Sequence, residues 1–483
     1  MRRAVAVPLA LVLLGTTGYA VADVLDVAPG ILTRDGPPQP TPTPGGTASP
    51  TWLALPTPTA PASAPAPSRS ATATGPAPGA PSASGLAAAL AGPLADPALG
   101  SVGISVRDAV TGAEIWSRSA DRPRTPASTA KLLSALAVTR TLDPADAMTT
   151  SVVAGSRAGE VVLVAGGDTL LASGGGRPGV AGRAGLADLA EQVATRLTAQ
   201  GVGAVTLRLD LGYAAGPPVP DTWKPADVGA GFARAVTMLA LADSRPEPGR
   251  PSPADPAAEV GRRLAALLTE RGHRTTLAPA SSWATPAPSG AAVLGTVGSA
   301  PYGDVLALAL DDSDNALTEN LVRQAMAARG VPTARQGGSA DFVTAEVRAA
   351  GVVTTGMVLK DASGLSPGQR VSARTLSSVL GLAAAGTPPG LRGAVAALPV
   401  AGLTGTLADR FDEVGTRAVA GIPRAKSGTL TGASGLAGTT VDADGHPLTF
   451  VVLADDLPPA RGTLEARAAL DRVAAALTRC GCR

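Results

Sequence analysis

Thr125-Pro126-Ala127-Ser128-Thr129-Ala130-Lys131 leads directly into Leu132, Leu133, Leu136 and Ala137, apolar residues at helical spacing. The heptapeptide contains the chain's only Ser-x-x-Lys, and it falls at the start of the predicted helix. Residues three apart share a helix face, so the Lys131 amine can reach the Ser128 hydroxyl one turn away. The helix N-terminus adds a positive dipole end and free N–H groups beside that hydroxyl. A lysine desolvated in such a place can be neutral at working pH and take the serine proton. An N-cap serine followed by an exposed lysine would give the same four letters, so the motif by itself does not decide the chemistry.

The composition sharpens it. The 483-residue chain has four lysines (Lys131, Lys224, Lys360 and Lys426) and two asparagines (Asn315 and Asn320). Nearly all other positive charge is arginine, which cannot lose its proton, so each lysine is a candidate for work closed to arginine. A hydrophobic content of 45% allows a substantial core in more than one structural unit. Lys+Arg 40 against Asp+Glu 38 nearly cancel, which argues against nucleic acid as a partner. Two cysteines and two histidines exclude most Cys/His metal sites and leave little room for a histidine-based triad. Neither a metal nor another cofactor is expected.

Along the chain, Met1-Arg2-Arg3, the uncharged residues 4–14 and the small-x-small Ala20-Val21-Ala22 make 1–34 a signal peptide or membrane anchor. Residues 35–85, rich in Pro, Ala, Thr and Ser, are expected to be a disordered, semi-rigid linker. Segment 86–144 carries a hairpin, with Val102, Ile104 and Val106 alternating before Thr111-Gly112 and Glu114-Ile115-Trp116, and then the helix after Ser128. Segment 145–295 has its own predicted strands (161–165, 205–209) and helices (186–198, 258–270) and reads as an inserted module. Segment 296–483 holds a strand or buried helix at 305–310 and a helix at 316–328. A second hairpin follows, formed by 428–441 and 448–455 around Asp442-Ala443-Asp444-Gly445, and then a closing helix at 464–478.

Two further patterns join Ser128 and Lys131. Ser313-Asp314-Asn315 stands just before the helix at 316–328, and Lys426-Ser427-Gly428-Thr429 opens the second hairpin. The three, in this order, resemble the trio of class A β-lactamases and penicillin-binding proteins. Pro126-Ala127-Ser128, the long gap before Ser313, Ala165-Gly166-Gly167-Asp168, Asp361-Ala362-Ser363-Gly364-Leu365-Ser366 and Lys426-Ser427-Gly428-Thr429-Leu430-Thr431-Gly432 narrow the likeness. From about residue 86 to 475 the chain resembles the class C low-molecular-mass penicillin-binding proteins, the D-alanyl-D-alanine carboxypeptidase/endopeptidase family. It departs from them at Ser427, where threonine is common, at Ala362, where glycine is common, and at Asp168-Thr169-Leu170, which lacks the usual proline.

The resemblance implies an α+β fold: a β-lactamase/transpeptidase-like catalytic domain, an antiparallel sheet flanked by helices, with a large inserted module and preceded by the linker. It implies acyl transfer with Ser128 as nucleophile and Lys131 as base, Ser313 and Lys426 passing a proton to the departing amine, and Asn315 holding the substrate amide. Ser427, Thr429 and Lys426 would meet the substrate's free carboxylate, and Gly428 would let its backbone approach the edge strand. The backbone N–H groups of Ser128 and Thr429 would form an oxyanion hole, worth roughly 3–4 kcal/mol per donor. The implied partners are peptidoglycan stem peptides ending in D-Ala-D-Ala and β-lactam antibiotics, in an exported protein of the cell envelope touching the membrane only through its N-terminal segment. A serine β-lactamase and a non-catalytic peptidoglycan-binding protein on the same fold are the alternatives.

Other chemistry-bearing residues receive structural readings. His446, beside a turn, is expected at the surface, and His273 lies far from the three motifs. Asp311 and Asp312 read as loop and cap residues, Glu319 as half of a local ion pair, and Trp223 as aromatic packing. A bridge between Cys480 and Cys482 would be strained, leaving intermolecular pairing or free thiols open.

Overall fold

The computed structural model describes residues 75–482. The expected signal or anchor, and the linker up to residue 74, lie outside the described residues. Residues before the expected boundary near Leu86 are packed on the domain. Ala77 N donates to Asp108 Oδ2 at 2.5 Å and Ser82 N to Cys482 O at 2.6 Å, so the last part of the supposed linker is packed on the domain. Ser82 then caps a helix, Ala83–Ala91, by accepting from Gly85 N, and the helix buries Leu86 and Leu90.

Ten strands are present among the described residues: β1 (Ser101–Asp108), β2 (Glu114–Arg118), β3 (Ala147–Ala154), β4 (Glu160–Val164), β5 (Ala204–Asp210), β6 (Arg274–Leu277), β7 (Val293–Pro301), β8 (Arg424–Leu430), β9 (Ala433–Val441) and β10 (Pro447–Asp455). One sheet has the order β2-β1-β10-β9-β8, antiparallel throughout. The single long strand expected at 428–441 is two strands. Leu430 pairs with Ala433, and Gly432 supplies the left-handed φ of +78° for the turn between them.

Helices cover both faces of this sheet, which is why β10 reads as an unbroken apolar run. Val451 and Leu453 face one way and meet the helices Lys131–Thr139, Asn315–Ala328 and Ala373–Ala384. Phe450, Val452 and Ala454 face the other and pack on Gly462–Thr478 and the first helix. Every residue of Lys131–Thr139 is buried, so this helix is apolar all round apart from its first residue, Ser134 and Thr139.

The second sheet, β6-β5-β4-β3-β7, is built wholly from residues between the first two motifs. Its β4-β5-β6 part is parallel, with the helices Leu186–Ala199 and Pro256–Glu270 in the crossovers. It has its own core, in which Val152, Leu163 and Leu207 meet Leu189, Val193 and Leu264. The sheet runs on to Pro301, beyond the expected end at 295, because β7 pairs antiparallel with β3 and returns the chain to its point of departure. There Tyr302 N donates to Asp146 O at 2.8 Å. Residues 305–310, left open between strand and helix, belong to the helix Tyr302–Asp311.

Candidate active site

Residues 127–130 form a single 3-10 turn, and the α-helix begins only at Lys131. The tighter turn sets Ser128 at the mouth of a cleft and sends Lys131 beneath it. Ala127 sits at φ +45°, a conformation that L-residues adopt rarely. Gly364 lies against this turn, and a Cβ there would stand 2.0 Å from Ala127 O.

Lys131 is fully buried, with Nζ 3.0 Å from Ser128 Oγ. Nζ also donates to Asn315 Oδ1 at 2.5 Å and to Ser363 O at 2.8 Å. Burial pushes its pKa down from 10.5 to about 8, against the opposing pull of Asp361, Asp314 and Glu319. Lys426, on β8, is equally buried and donates to Ser427 O at 3.0 Å. Desolvation, with Lys131 adding to it, holds its amine well below the ordinary lysine range.

Ser313 lies in a left-handed turn at φ +57°. The carboxylates on either side of it, Asp312 and Asp314, are gripped by one arginine, Arg245, at 2.9 and 3.1 Å. Asp314 also caps the helix Asn315–Ala328 through Leu317 N, so the cap expected at Asp311 or Asp312 is made by their neighbour. Asn315 has both ends of its amide engaged: Oδ1 accepts from Lys131, and Nδ2 donates to Phe232 O at 2.7 Å. Ser427 Oγ donates to Thr406 Oγ1 at 2.9 Å, and Thr429 is exposed. Gly428 also has a close neighbour within the protein. Its missing Cβ would meet Pro126 O at 2.8 Å and Ser128 N at 2.9 Å, so it admits the protein's own turn against β8.

A cleft of about 1260 Å³ joins these segments, lined by Ser128, Ser313, Asn315, Ser427, Gly428 and Thr429. Phe232 and Arg245, from the chain of the second sheet, form part of its wall. The arrangement offers a hydroxyl beside a buried amine whose pKa is lowered to about 8, a second buried amine behind the edge strand, and the outer edge of β8 for an extended ligand.

Several contributors were not foreseen. Ser363 acts through its carbonyl, Phe232 likewise, and Arg245 through the turn it clamps. Trp223 does more than pack, because its indole N–H donates to Asp361 Oδ2 at 2.9 Å. Glu319 is buried and accepts from Ala362 N at 2.5 Å in place of the expected ion pair, and burial lifts its carboxyl to about 7. His446 is largely buried, 3.1 Å from Asp108 Oδ1, and His273 is buried against Val202 O and Thr198. Cys480 and Cys482 are bonded to each other across Gly481.

Comparison with known proteins gives the chain its family. The family model described as D-Ala-D-Ala carboxypeptidase 3 (S13) matches residues 86–248 and 240–477. Carboxypeptidase DacB of Mycolicibacterium smegmatis is 37% identical over 410 residues, covering 83% of this chain and 85% of that protein. A D-alanyl-D-alanine carboxypeptidase of an Actinomadura species is 28% identical over 447 residues, 74% of this chain and 79% of that one. Penicillin binding protein 4 of Haemophilus influenzae shares the fold, with a TM-score of 0.63 at 18% identity over 81% of this chain and 97% of that one. The same protein complexed with a β-lactam gives a TM-score of 0.54 at 19% identity, over 81% of this chain and 98% of that one. The chain therefore belongs to the D-Ala-D-Ala carboxypeptidase 3 (S13) family and is a serine peptidase with the fold of penicillin binding protein 4.

Proposed function

We propose that this protein hydrolyses the D-Ala-D-Ala bond of peptidoglycan stem peptides, as carboxypeptidase or endopeptidase, through an acyl-enzyme on Ser128. The observation that carries the reading is the buried Lys131 amine, 3.0 Å from Ser128 Oγ and depressed in pKa to about 8. The neutral amine takes the hydroxyl proton as Oγ attacks the carbonyl. Backbone N–H groups of Ser128 and Thr429 receive the oxyanion. Collapse breaks the peptide bond, and the departing amine gains its proton by way of Ser313 and Lys426. Asn315 holds the acyl-side amide, while Ser427, Thr429 and Lys426 meet the terminal carboxylate. Water then frees Ser128, and a β-lactam, whose leaving group stays tethered, blocks that step.

On this reading the inserted module runs from about 145 through β7, which ends at Pro301, and the catalytic domain comprises the described residues on either side of it. The enzyme works outside the cytoplasmic membrane, delivered or anchored by its N-terminal segment. Among the described residues, no helix is long and apolar enough to cross a membrane.

The test is Ser128→Ala, scored by mass spectrometry for a penicillin adduct and for D-Ala release from a muropeptide. Loss of both is expected, and D-Ala release at the wild-type rate refutes the assignment. Sustained penicillin turnover by the wild type would identify a β-lactamase instead.

A further inference from the structure

Lys131 has two fixed acceptors besides Ser128. Asn315 Oδ1 and Ser363 O receive hydrogens from Nζ and can return none, at 2.5 and 2.8 Å. A neutral amine has two N–H bonds and one lone pair. With both hydrogens committed, the lone pair has one remaining direction, toward the Ser128 hydroxyl. The aim of the base therefore depends on where the Ser363 carbonyl is held.

That carbonyl belongs to a turn gathered around one carboxylate. Asp361 Oδ1 accepts from Ser363 N at 2.9 Å, Gly364 N at 2.6 Å and Gln369 Nε2 at 3.0 Å, and Oδ2 accepts from Ser366 N at 2.7 Å. The remaining contact comes from the chain of the second sheet, where Trp223 Nε1 donates to Oδ2 at 2.9 Å. Asp361 and Trp223 are 2% and 4% exposed, and neither lines the cleft. Trp223 is seated among Ala233, Val236, Ala316 and Leu365, and Thr222 Oγ1 makes a second bridge to Ser366 Oγ at 2.6 Å.

We propose that Asp361, held through the Trp223 indole by the inserted segment, is a positioning residue that fixes the Ser363 carbonyl and thereby aims the Lys131 amine at Ser128. The inserted segment thus has a part in the chemistry without touching substrate. This rests on Lys131 being the base, and the test separates the two ideas. The charged groups facing Lys131 are Asp361 on this turn, Asp314 and Glu319 at and in the helix Asn315–Ala328, and Lys426 on β8.

The experiment measures penicillin acylation of the full chain by rapid mixing, separating the limiting rate from the penicillin dissociation constant across the Lys131 titration. Trp223→Phe keeps the ring and the Asp361 charge. It is expected to lower the limiting rate about tenfold, with the dissociation constant and acid limb unmoved. Asp361→Asn keeps the shape but removes a negative charge facing Lys131. It is expected to lower the limiting rate about a hundredfold and to move the acid limb to lower pH, a shift that mere loosening of the fold would not produce. If Asp361→Asn does not fold, Trp223→Phe decides alone. A wild-type limiting rate in either folded variant overturns the proposal. If Lys131→Ala is inactive while these variants are not, only the positioning role falls. If Lys131→Ala acylates normally, the base assignment falls as well.

Discussion

At the scale of single residues, the proposed mechanism makes the protonation state of Lys131 set the conditions for the chemistry. An amine with a pKa of about 8 is protonated in most molecules at neutral pH, and only the deprotonated fraction can accept the Ser128 proton. The acylation rate should therefore climb with pH and level off above about 8, with close to a tenfold loss per unit on the acid side. Stopped-flow labelling with a fluorescent penicillin measures this, and a flat profile through that region would remove Lys131 from the proton transfer. Lys131→Arg keeps the charge and loses the titratable amine, so labelling should fall by orders of magnitude and the acid limb should vanish. Ser128, Lys131, Ser313, Asn315 and Lys426, which the structure gathers around one cleft, were legible in the sequence because each stands in a short motif of chemically distinctive side chains. Ser363 and Phe232 were not, because they act through backbone carbonyls that every residue possesses. The Asp361-Ala362-Ser363-Gly364 turn did carry a usable signal, an aspartate able to accept from the N–H groups that follow it.

Among the secondary-structure elements, the relation between β8 and the 3-10 turn matters most. The strand edge lies so close to the Ser128 turn that only a glycine fits at 428. Gly428→Ala places a methyl about 3 Å from Pro126 O and Ser128 N, neither of which is a flexible side chain that could swing away. The strand or the turn must shift, and a displacement near 1 Å at the reacting serine costs about a hundredfold in rate. The variant should keep its fold and lose acylation to that extent, as read by penicillin labelling alongside circular dichroism. Labelling at the wild-type rate would show that the contact is slack. The sequence signalled a strand here and missed its end, because the alternation of β8 continues into β9 through Thr431-Gly432, a weaker turn dipeptide than Asn-Gly or Asp-Gly. The helix Lys131–Thr139 was legible from its apolar spacing, whereas the 3-10 character of the turn before it has no period long enough to detect.

For the molecule as a whole, the face of the first sheet opposite Lys131 is closed by the helix Gly462–Thr478. A buried ion pair links that helix to the loop beside β8: Arg410 Nη2 is 2.5 Å and Nε 3.2 Å from the Asp471 carboxylate, with both residues about 5% exposed or less. Removing one partner strands a charge in the core. Asp471→Asn should therefore destabilise the protein by roughly 3–5 kcal/mol in denaturant unfolding, while the folded fraction still binds penicillin one to one. A midpoint equal to the wild type would mean that water reaches Arg410. The α+β fold and the presence of a separate module could be read from strand and helix patterns spread over long stretches. The exact exit of the module could not, since β7 continues past 295 only to satisfy its pairing with β3.

The bond between Asp146 O and Tyr302 N closes the root of the second sheet, so everything between them hangs from the host like a graft on a stem. Cutting it away would leave two ends already adjacent and easily rejoined. The shortened protein would nonetheless lack Phe232 and Arg245, which hold Asn315 and the Ser313 turn at the cleft, and Trp223, which holds the Asp361 turn behind it. In this chain the appendage is separable by topology and inseparable by chemistry.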